Sequence, residues 1–328
     1  MTPQARAGVE APKPTKKVPV SAPLLALLTL IILFALLTPT FRTTANLVNV
    51  LTLAPVLLIV SLGITFPIVL GGIDLSTEGI MALASISVGF LVTNPVNHLH
   101  IGFWSLPLTM LVGAAVGWFN GLIHVKGKIP SFMTTLGLGY VALGFAIYLI
   151  KGNPIPILDR RIQQFAIGRI CGIPQIALVG LVAFAAALVI ERWTSLGRYI
   201  FGIGGNETIA KQLGVPVDRV KIFAFVLAGG FYGLAGFLNA ARLASGNATT
   251  SVGYQFSAIT ATVVGGTALT GGVGGAVSAL LGTLIVTVLQ NGMILLGVNP
   301  YAQGAIQGFV LIAAVTLTLD RKKLPFIK

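Results

Sequence analysis

The sequence has few charged residues and almost no cysteine. Only 9% of its 328 residues are charged, against about 25% in soluble globular domains. Because 55% are hydrophobic, the chain lacks the polar surface that a soluble enzyme of this size needs. The single cysteine, Cys171, excludes an internal disulfide and a zinc cluster built on cysteines. This composition, with a mean hydropathy of +0.94, is typical of a polytopic membrane protein.

Motifs for nucleotide or metal chemistry are missing as well. No Gly-x-x-x-x-Gly-Lys-Ser/Thr loop occurs, so the chain is not expected to hydrolyse ATP itself. Segment 137–142 fits a dinucleotide fingerprint but lies inside an apolar run, which favours helix packing. His98 and His100 have no cysteine or carboxylate nearby, and a solvated turn is the preferred interpretation. We expect no catalytic residue, no metal and no cofactor bound by this chain.

Ten apolar runs predict the fold. A hydrocarbon core of about 30 Å needs about 20 helical residues. The runs cover residues 21–38, 50–70, 79–93, 104–124, 131–150, 175–191, 221–242, 255–268, 274–297 and 300–319. Some are short enough to be broken or re-entrant. The sequence therefore predicts an all-α polytopic membrane protein with about ten transmembrane helices and an uncleaved first helix. The membrane domain would span residues 21–319, between basic tails at 1–20 and 320–328.

The distribution of basic residues predicts the orientation. Ten crossings would place both termini on one side and leave only six basic residues on the other: Arg42, Lys151, Arg160, Arg161, Arg169 and Arg242. The other 15 of the 21 basic residues would share the side of the termini. The positive-inside rule then predicts cytoplasmic termini. The net charge of +13 is thus explained by loops between helices beside membrane lipid, and no nucleic-acid partner is expected.

The segment 71–79, Gly-Gly-Ile-Asp-Leu-Ser-Thr-Glu-Gly, separates two apolar runs with polar residues and glycines. One interpretation is a turn in which Asp74 or Ser76 caps the following helix. The other is a broken helix that lines a cavity, because irregular backbone at membrane depth is tolerated only where it faces protein or water. Both can hold together. They make Gly71, Gly72, Asp74 and Ser76 candidates for broken-helix turns or a translocation path.

A similar pattern recurs 194 residues later in the chain. Segment 265–270 aligns with segment 71–76 in both glycines, the leucine and the final hydroxyl residue, and Asn120–Gly121 recurs as Asn291–Gly292. The spacing between the two pairs differs, so the pattern predicts only a weak internal repeat, a feature typical of transporters. The second copy adds four candidate path residues: Gly265, Gly266, Thr267 and Thr270.

The loop 192–220, the largest one predicted on the side of the termini, contains signals for a short helix. Asn206 is a favourable N-cap, and Glu207 lies in the first turn, where the helix dipole favours an anion. An apolar stripe and a terminating glycine follow at Ile209, Ala210, Leu213 and Gly214. The pattern predicts a two-turn helix that either packs back on its own membrane helices or docks a soluble partner.

Several segments together resemble a known family, the ribose-type permeases of bacterial ABC importers. They are residues 72–76, 194–199, 204–207, 253–254, 264–272 and 291–298, within a resemblance that covers roughly residues 42–323. The resemblance implies a bacterial inner-membrane homodimer or pseudo-dimer of permeases. Its partners would be a cytoplasmic ATP-binding subunit, which holds ATP and Mg²⁺, and a periplasmic sugar-binding protein. Loop 206–214 matches the position of the family's coupling helix, whereas Thr77–Glu78 departs from the small residues expected there.

The function expected is inward transport of a monosaccharide, driven by ATP hydrolysis on partner subunits. The alternative is a secondary transporter of a small polar solute, driven by an ion gradient. That mechanism usually needs carboxylates within the membrane. Only Asp74, Glu78 and Glu191 come close to this position, all of them near the ends of apolar runs.

Overall fold

The chain folds into helices joined by short connections. The computed structural model describes residues 21–95 and 99–318, and the predicted tails 1–20 and 320–328 lie outside these residues. The α-helices are α1 Ser21–Leu37, α2 Thr44–Val69, α3 Thr77–Leu91, α4 Ser105–Gly127, α5 Ser131–Ile150, α6 Arg160–Ile167, α7 Gln175–Trp193, α8 Ser195–Gly205, α9 Glu207–Gln212, α10 Val217–Leu243, α11 Tyr254–Val264, α12 Ala276–Leu295 and α13 Pro300–Thr318. Short 3-10 helices cover Pro39–Arg42, Gly102–Trp104 and Thr249–Ser251.

Two two-stranded sheets form in the loops between helices. Strand β1 (Ile155–Pro156) pairs antiparallel with β4 (Ser245–Gly246), and β2 (Arg169–Ile170) pairs antiparallel with β3 (Ile173–Pro174). In the second hairpin Cys171 and Gly172 both have positive φ, 51° and 82°, as a two-residue type I′ turn requires. Cys171 is exposed at this tip.

Each of the ten apolar runs lies in a helix, and α6, α8 and α9 are additional. Among the described residues, six helical segments are long and apolar enough to cross a membrane: Thr44–Val69, Gly102–Gly127, Ser131–Ile150, Gln175–Trp193, Val217–Leu243 and Ala276–Leu295. The shorter apolar helices include α1 and α3, and α11 has only 11 residues. The structure therefore confirms a helical membrane protein, but length and composition do not support the predicted count of ten.

Helix α10 lies at the centre and packs on α2, α3 and α4. A Cβ atom at Gly113 of α4 would collide with the carbonyl of Gly229, and one at Gly117 with the carbonyl of Phe225. Lipid tails are as apolar as Leu side chains, so membrane helices gain stability chiefly from such close backbone approach. The first helix belongs to the same bundle, because the ring of Phe34 packs directly over Gly292 of α12.

The chain between α10 and α11 turns back along α3. Gly246 packs against Gly89 near the end of α3, and the N–H of Gly253 donates to Glu78 Oε1 in its first turn, at 2.8 Å. The 11 residues of α3 between these contacts span about 16 Å. Helix α11 therefore begins beside the first turn of α3, about 16 Å from the end of α3 that packs on Gly246.

A second irregular stretch lies before α3. The N–H of Ile73 donates to Ser131 Oγ at 3.0 Å and that of Leu75 to Thr135 Oγ1 at 2.9 Å. Segment 73–76 thus runs along the first turns of α5 and satisfies its backbone with side chains, as backbone at membrane depth must.

Candidate functional site

The first glycine turn closes the end of α2. Gly71 has φ +83°, and its N–H donates to the carbonyl of Ile68 at 2.8 Å. The N–H of Gly72 donates to the carbonyl of Pro67 at 2.9 Å. These two bonds form a Schellman motif, in which a glycine takes the left-handed conformation just after the helix.

The second glycine turn closes α11 in the same way, one residue out of the predicted alignment. Gly266 has φ +104°, its N–H donates to the carbonyl of Val263 at 2.9 Å, and that of Thr267 donates to the carbonyl of Thr262 at 3.0 Å. Gly266 therefore corresponds to Gly71, and the pairing of Gly265 with Gly71 was wrong. Gly265 keeps a helical backbone, and a Cβ there would collide with the carbonyl of Ser278.

The Asn-Gly pairs are not equivalent positions of a repeat. Asn120 Nδ2 donates to Ser76 Oγ at 2.9 Å, whereas Asn291 Nδ2 donates to Asn46 Oδ1 at 2.9 Å. Helix α4 ends near the start of α10, where His124 packs on Phe225. Helix α12 begins at that same side of the molecule, so the two helices run in opposite directions. Only the glycine turns are similar in structure.

Asp74 and Ser76 form a buried network. Asp74, which is 1% exposed, accepts from the N–H and Oγ–H of Ser76, at 2.9 and 2.6 Å, and from the hydroxyl of Tyr232 at 3.2 Å. Ser76 is the N-cap residue of α3 but makes no side-chain capping bond. The expectation that Asp74 or Ser76 caps α3 in the usual way, on the N–H of its first turn, is therefore wrong. The carboxylate instead stabilises the extended segment before α3.

The predicted short helix in loop 192–220 is α9. Asn206 Oδ1 accepts from the N–H of Ile209 at 3.0 Å, which confirms the N-cap. Gly214 has φ +81° and ends the helix, as predicted. Glu207 in the first turn forms an ion pair of 2.8 Å with Lys221 of α10. The local structure follows from local signals, since capping and dipole terms act within one turn.

The apolar stripe of α9 divides between two faces. Ile209 is 43% exposed and Leu213 is 78% exposed, whereas Ala210 is only 5% exposed. Residues four apart share a helix face, but Ala210 is turned about 100° from Ile209 and packs inward. Ala210 was therefore wrongly placed on the docking surface. Ile209 and Leu213 are the apolar side chains that α9 presents outward.

The first glycine turn, the loop that follows the second turn and the residues before α9 meet at one point, which we call the glycine junction: Gly71, Gly204, Gly205, Gly271 and Gly272. The N–H of Gly272 donates to the carbonyl of Val69 at 2.8 Å. A Cβ at Gly204 would collide with that carbonyl, and one at Gly271 would lie 2.9 Å from the N of Gly71. Sequence reasoning named Gly204 only within the family-like segment 204–207 and did not predict its contact with Val69, although glycines at 202, 204 and 205 end α8 directly before the Asn206 cap.

A cavity of about 340 Å³ lies beside the junction. Gly71, Gly72 and Ile73 border it on one side, and the Glu207–Lys221 pair borders it on another. The remaining candidates lie close by: Thr267 is buried and packs against Gly274, whereas Thr270 is exposed with its carbonyl facing Gly71. The structure thus brings the first predicted turn and the predicted coupling helix together.

The carboxylates of the described residues sit at helix starts. Glu78 accepts from Gly253 before α11, and Glu191 Oε2 accepts from the N–H of Ala276, the first residue of α12, at 2.6 Å. Asp159 caps α6, while Glu207 and Asp218 lie in the first turns of α9 and α10. Anions at helix N-termini stabilise the helix dipole. Glu78, Asp159, Glu191 and Glu207 therefore have structural partners.

Comparison with known proteins identifies the family. The family described as "Branched-chain amino acid transport system / permease component" matches residues 46–315. The chain is 36% identical to the ribose import permease protein RbsC of Escherichia coli (strain K12) over 304 residues, 92% of this chain and 93% of that protein. It is 38% identical to RbsC of Bacillus subtilis (strain 168), with 92% of each chain covered.

A third relative has another sugar in its name. The galactose/methyl galactoside import permease protein MglC of Escherichia coli (strain K12) is 34% identical over 89% of this chain and 91% of its own length. No solved structure matches the chain. The match over most of the chain, together with the helical membrane fold, shows that this protein belongs to the permease-component family and, within it, to the ribose-type permeases of ABC importers.

Proposed function

We propose that this chain is the membrane-spanning subunit of an ABC importer that carries a monosaccharide into the cell. The relatives are named as import permeases for ribose and for galactose or methyl galactoside, which supports a sugar as substrate. ATP and Mg²⁺ would bind to a separate cytoplasmic subunit, because this sequence contains no phosphate-binding loop. The chain would act as a transport subunit without catalytic residues.

The observation that carries the proposal is the contact between α9 and the glycine junction. Ile209 and Leu213 offer an exposed apolar surface to a partner, and Gly204 and Gly205 directly precede the N-cap of α9. Movement of α9 would therefore press on the end of α2 through Val69 and on the loop before α12 through Gly272. Closure of docked ATP-binding subunits would in this way shift the two broken-helix turns and change which side is open.

The orientation proposed is one with cytoplasmic termini in a bacterial inner membrane. Lys126, Lys128, Arg192, Lys211 and Lys221 lie at the end of the bundle where α4 and α7 end and α10 begins. Cytoplasmic loops carry an excess of such residues. A sugar-binding protein would then dock on the opposite side, and a second permease copy, identical or paralogous, would complete the path.

We further propose ten crossings, two of them broken. Segment 73–76 followed by α3 would form one broken crossing, and the stretch 247–253 followed by α11 would form the other. Each combines irregular backbone with a short helix, which explains why neither helix spans a bilayer by its own length.

The test is sugar uptake by proteoliposomes that contain the transporter with its ATP-binding subunit and binding protein. Uptake should continue when an ionophore collapses the proton and sodium gradients, provided that ATP is supplied. We expect this because the carboxylates that could carry ions through the membrane, such as Glu78 and Glu191, accept hydrogen bonds from backbone N–H groups instead. Uptake abolished by the ionophore at constant ATP would favour the secondary transporter.

A further inference from the structure

A polar cluster surrounds the start of α11, apart from the glycine junction. Arg242 Nη2 donates to Asn239 Oδ1 at 3.2 Å and to the hydroxyl of Tyr254 at 3.4 Å. Asn239 Nδ2 donates to the carbonyl of Thr250 at 3.1 Å, and Glu78 accepts from Gly253. We call Glu78, Asn239, Arg242 and Tyr254 the polar cluster. Its members come from three helices and are held around the stretch 250–254.

The cluster extends from Glu78 in the first turn of α3 to Arg242 near the end of α10, and it opens to the surface of the chain. Its anchor, Gly253, lies about 16 Å from Gly89 by the length of α3 that separates them. Val252 is 68% exposed and Phe256 is 63% exposed. A polar group among membrane helices and next to exposed residues is stable where it faces water or protein, not lipid.

The charges of the cluster are not neutralised by each other. Within the described residues the one ion pair is Lys221–Glu207, which lies elsewhere in the molecule. No described carboxylate therefore lies within 4.0 Å of Arg242. The Nε of Arg242 is buried without an acceptor, and Glu78 uses one of its two oxygens. Charged residues inside a membrane usually pair or mark a substrate pathway. A cap on α11 needs a carboxylate but no guanidinium, so helix capping alone does not explain the cluster.

We propose that the polar cluster is a transient binding site for a monosaccharide in the translocation path. This inference rests on the proposed function. Different hydroxyls of one sugar can donate to the carboxylate of Glu78 and accept from the guanidinium of Arg242, and hydrogen bonds to charged groups are stronger than neutral ones. The exposed ring of Phe256 offers an apolar face for the C–H side of the sugar.

The experiment uses the complete transporter in proteoliposomes with radiolabelled D-ribose, D-galactose, D-xylose and D-glucose as probes. Three variants remove hydrogen-bonding groups: Glu78→Gln and Tyr254→Phe, which keep side-chain shape, and Arg242→Gln, which replaces the guanidinium with a shorter neutral amide. The glutamine at position 78 still offers an oxygen to the N–H of Gly253, so the N-terminus of α11 should keep its position. We expect Glu78→Gln and Arg242→Gln to lower uptake about tenfold, as loss of one charge-assisted hydrogen bond does. ATP hydrolysis stimulated by the binding protein should stay within about twofold of wild type.

The matched control is Arg169→Gln, which removes an exposed cation from the β2–β3 hairpin and should transport like wild type. Normal uptake in all three cluster variants would overturn the proposal. A parallel fall of uptake and ATP hydrolysis would overturn it as well, because it would show a structural role. A wild-type transporter that hydrolyses ATP but imports none of the four sugars would instead refute the proposed function.

Discussion

At the scale of single residues, the absence of a side chain determines how closely the parts of the junction approach. Gly204 and Gly202 lie two positions apart in α8, yet only Gly204 meets another backbone. A Cβ at Gly204 would collide with the carbonyl of Val69, whereas a Cβ at Gly202 would have no neighbouring atom within 4 Å. Both residues have helical backbone, so steric contact and not φ distinguishes them.

This difference gives a prediction with an internal control. Gly204→Ala should force α8 away from α2, weaken the bond between Gly272 and Val69 and reduce uptake at least tenfold. Gly202→Ala should leave uptake unchanged and stabilise α8 by about 0.5–1 kcal/mol, the helix preference of Ala over Gly. The measurement is uptake by proteoliposomes at equal protein content, with co-purification of the ATP-binding subunit as the check that docking survives. Equal uptake by the two variants would show that the close contact is unnecessary for transport.

At the scale of elements, α9 is a short helix that depends on its surroundings. Six residues are too few for a stable isolated helix, and the Asn206 cap, the Gly214 turn, the Lys221 ion pair and buried Ala210 hold it in place. Ile209 and Leu213 are not needed for that support because they are exposed. They are therefore free to contact a partner.

Charges on these two positions should break the docking. Ile209→Asp with Leu213→Asp should leave insertion intact, because α9 lies outside the apolar helices, but should lower co-purification of the ATP-binding subunit and abolish uptake. An unpaired charge buried at an interface costs several kcal/mol, and about 1.4 kcal/mol already means a tenfold loss of affinity. Lys211→Ala is the control and should have little effect. Normal pull-down and transport by the double variant would place the docking surface elsewhere.

The same elements show what sequence can predict. The apolar runs, the Asn206 cap and the Gly214 end depend on residues within a few positions, so composition and spacing reveal them. The one-residue shift between Gly71 and Gly266 depends on where α2 and α11 end, which tertiary packing decides. The inward direction of Ala210 and the meeting of Gly204 with Val69 depend on contacts distant in sequence. Arg242 gave no motif, and only the fold brings it to Tyr254.

At the scale of the whole molecule, the bundle has two chemically different ends. One end gathers α9, the glycine junction and several lysines, whereas the other carries the β2–β3 hairpin with its exposed Cys171. The two proposed broken crossings would run between these ends in opposite order. Helix α3 leads from Thr77 toward the hairpin end, and α11 leads from Tyr254 toward the end that carries the junction.

Because Cys171 is the single cysteine of the sequence, labelling of the wild-type protein can test this orientation. Cys171 should react with a membrane-impermeant maleimide added to spheroplasts, because it is exposed at the end proposed to face the periplasm. Lys211→Cys in a Cys171→Ser chain should react only in inside-out vesicles, because Lys211 is exposed on α9 at the proposed cytoplasmic end and lies off the proposed docking surface. The Cys171→Ser chain alone provides the blank. Labelling of Cys171 only in inside-out vesicles would reverse the topology, place α9 outside the cell and remove the surface on which an ATP-binding subunit could dock.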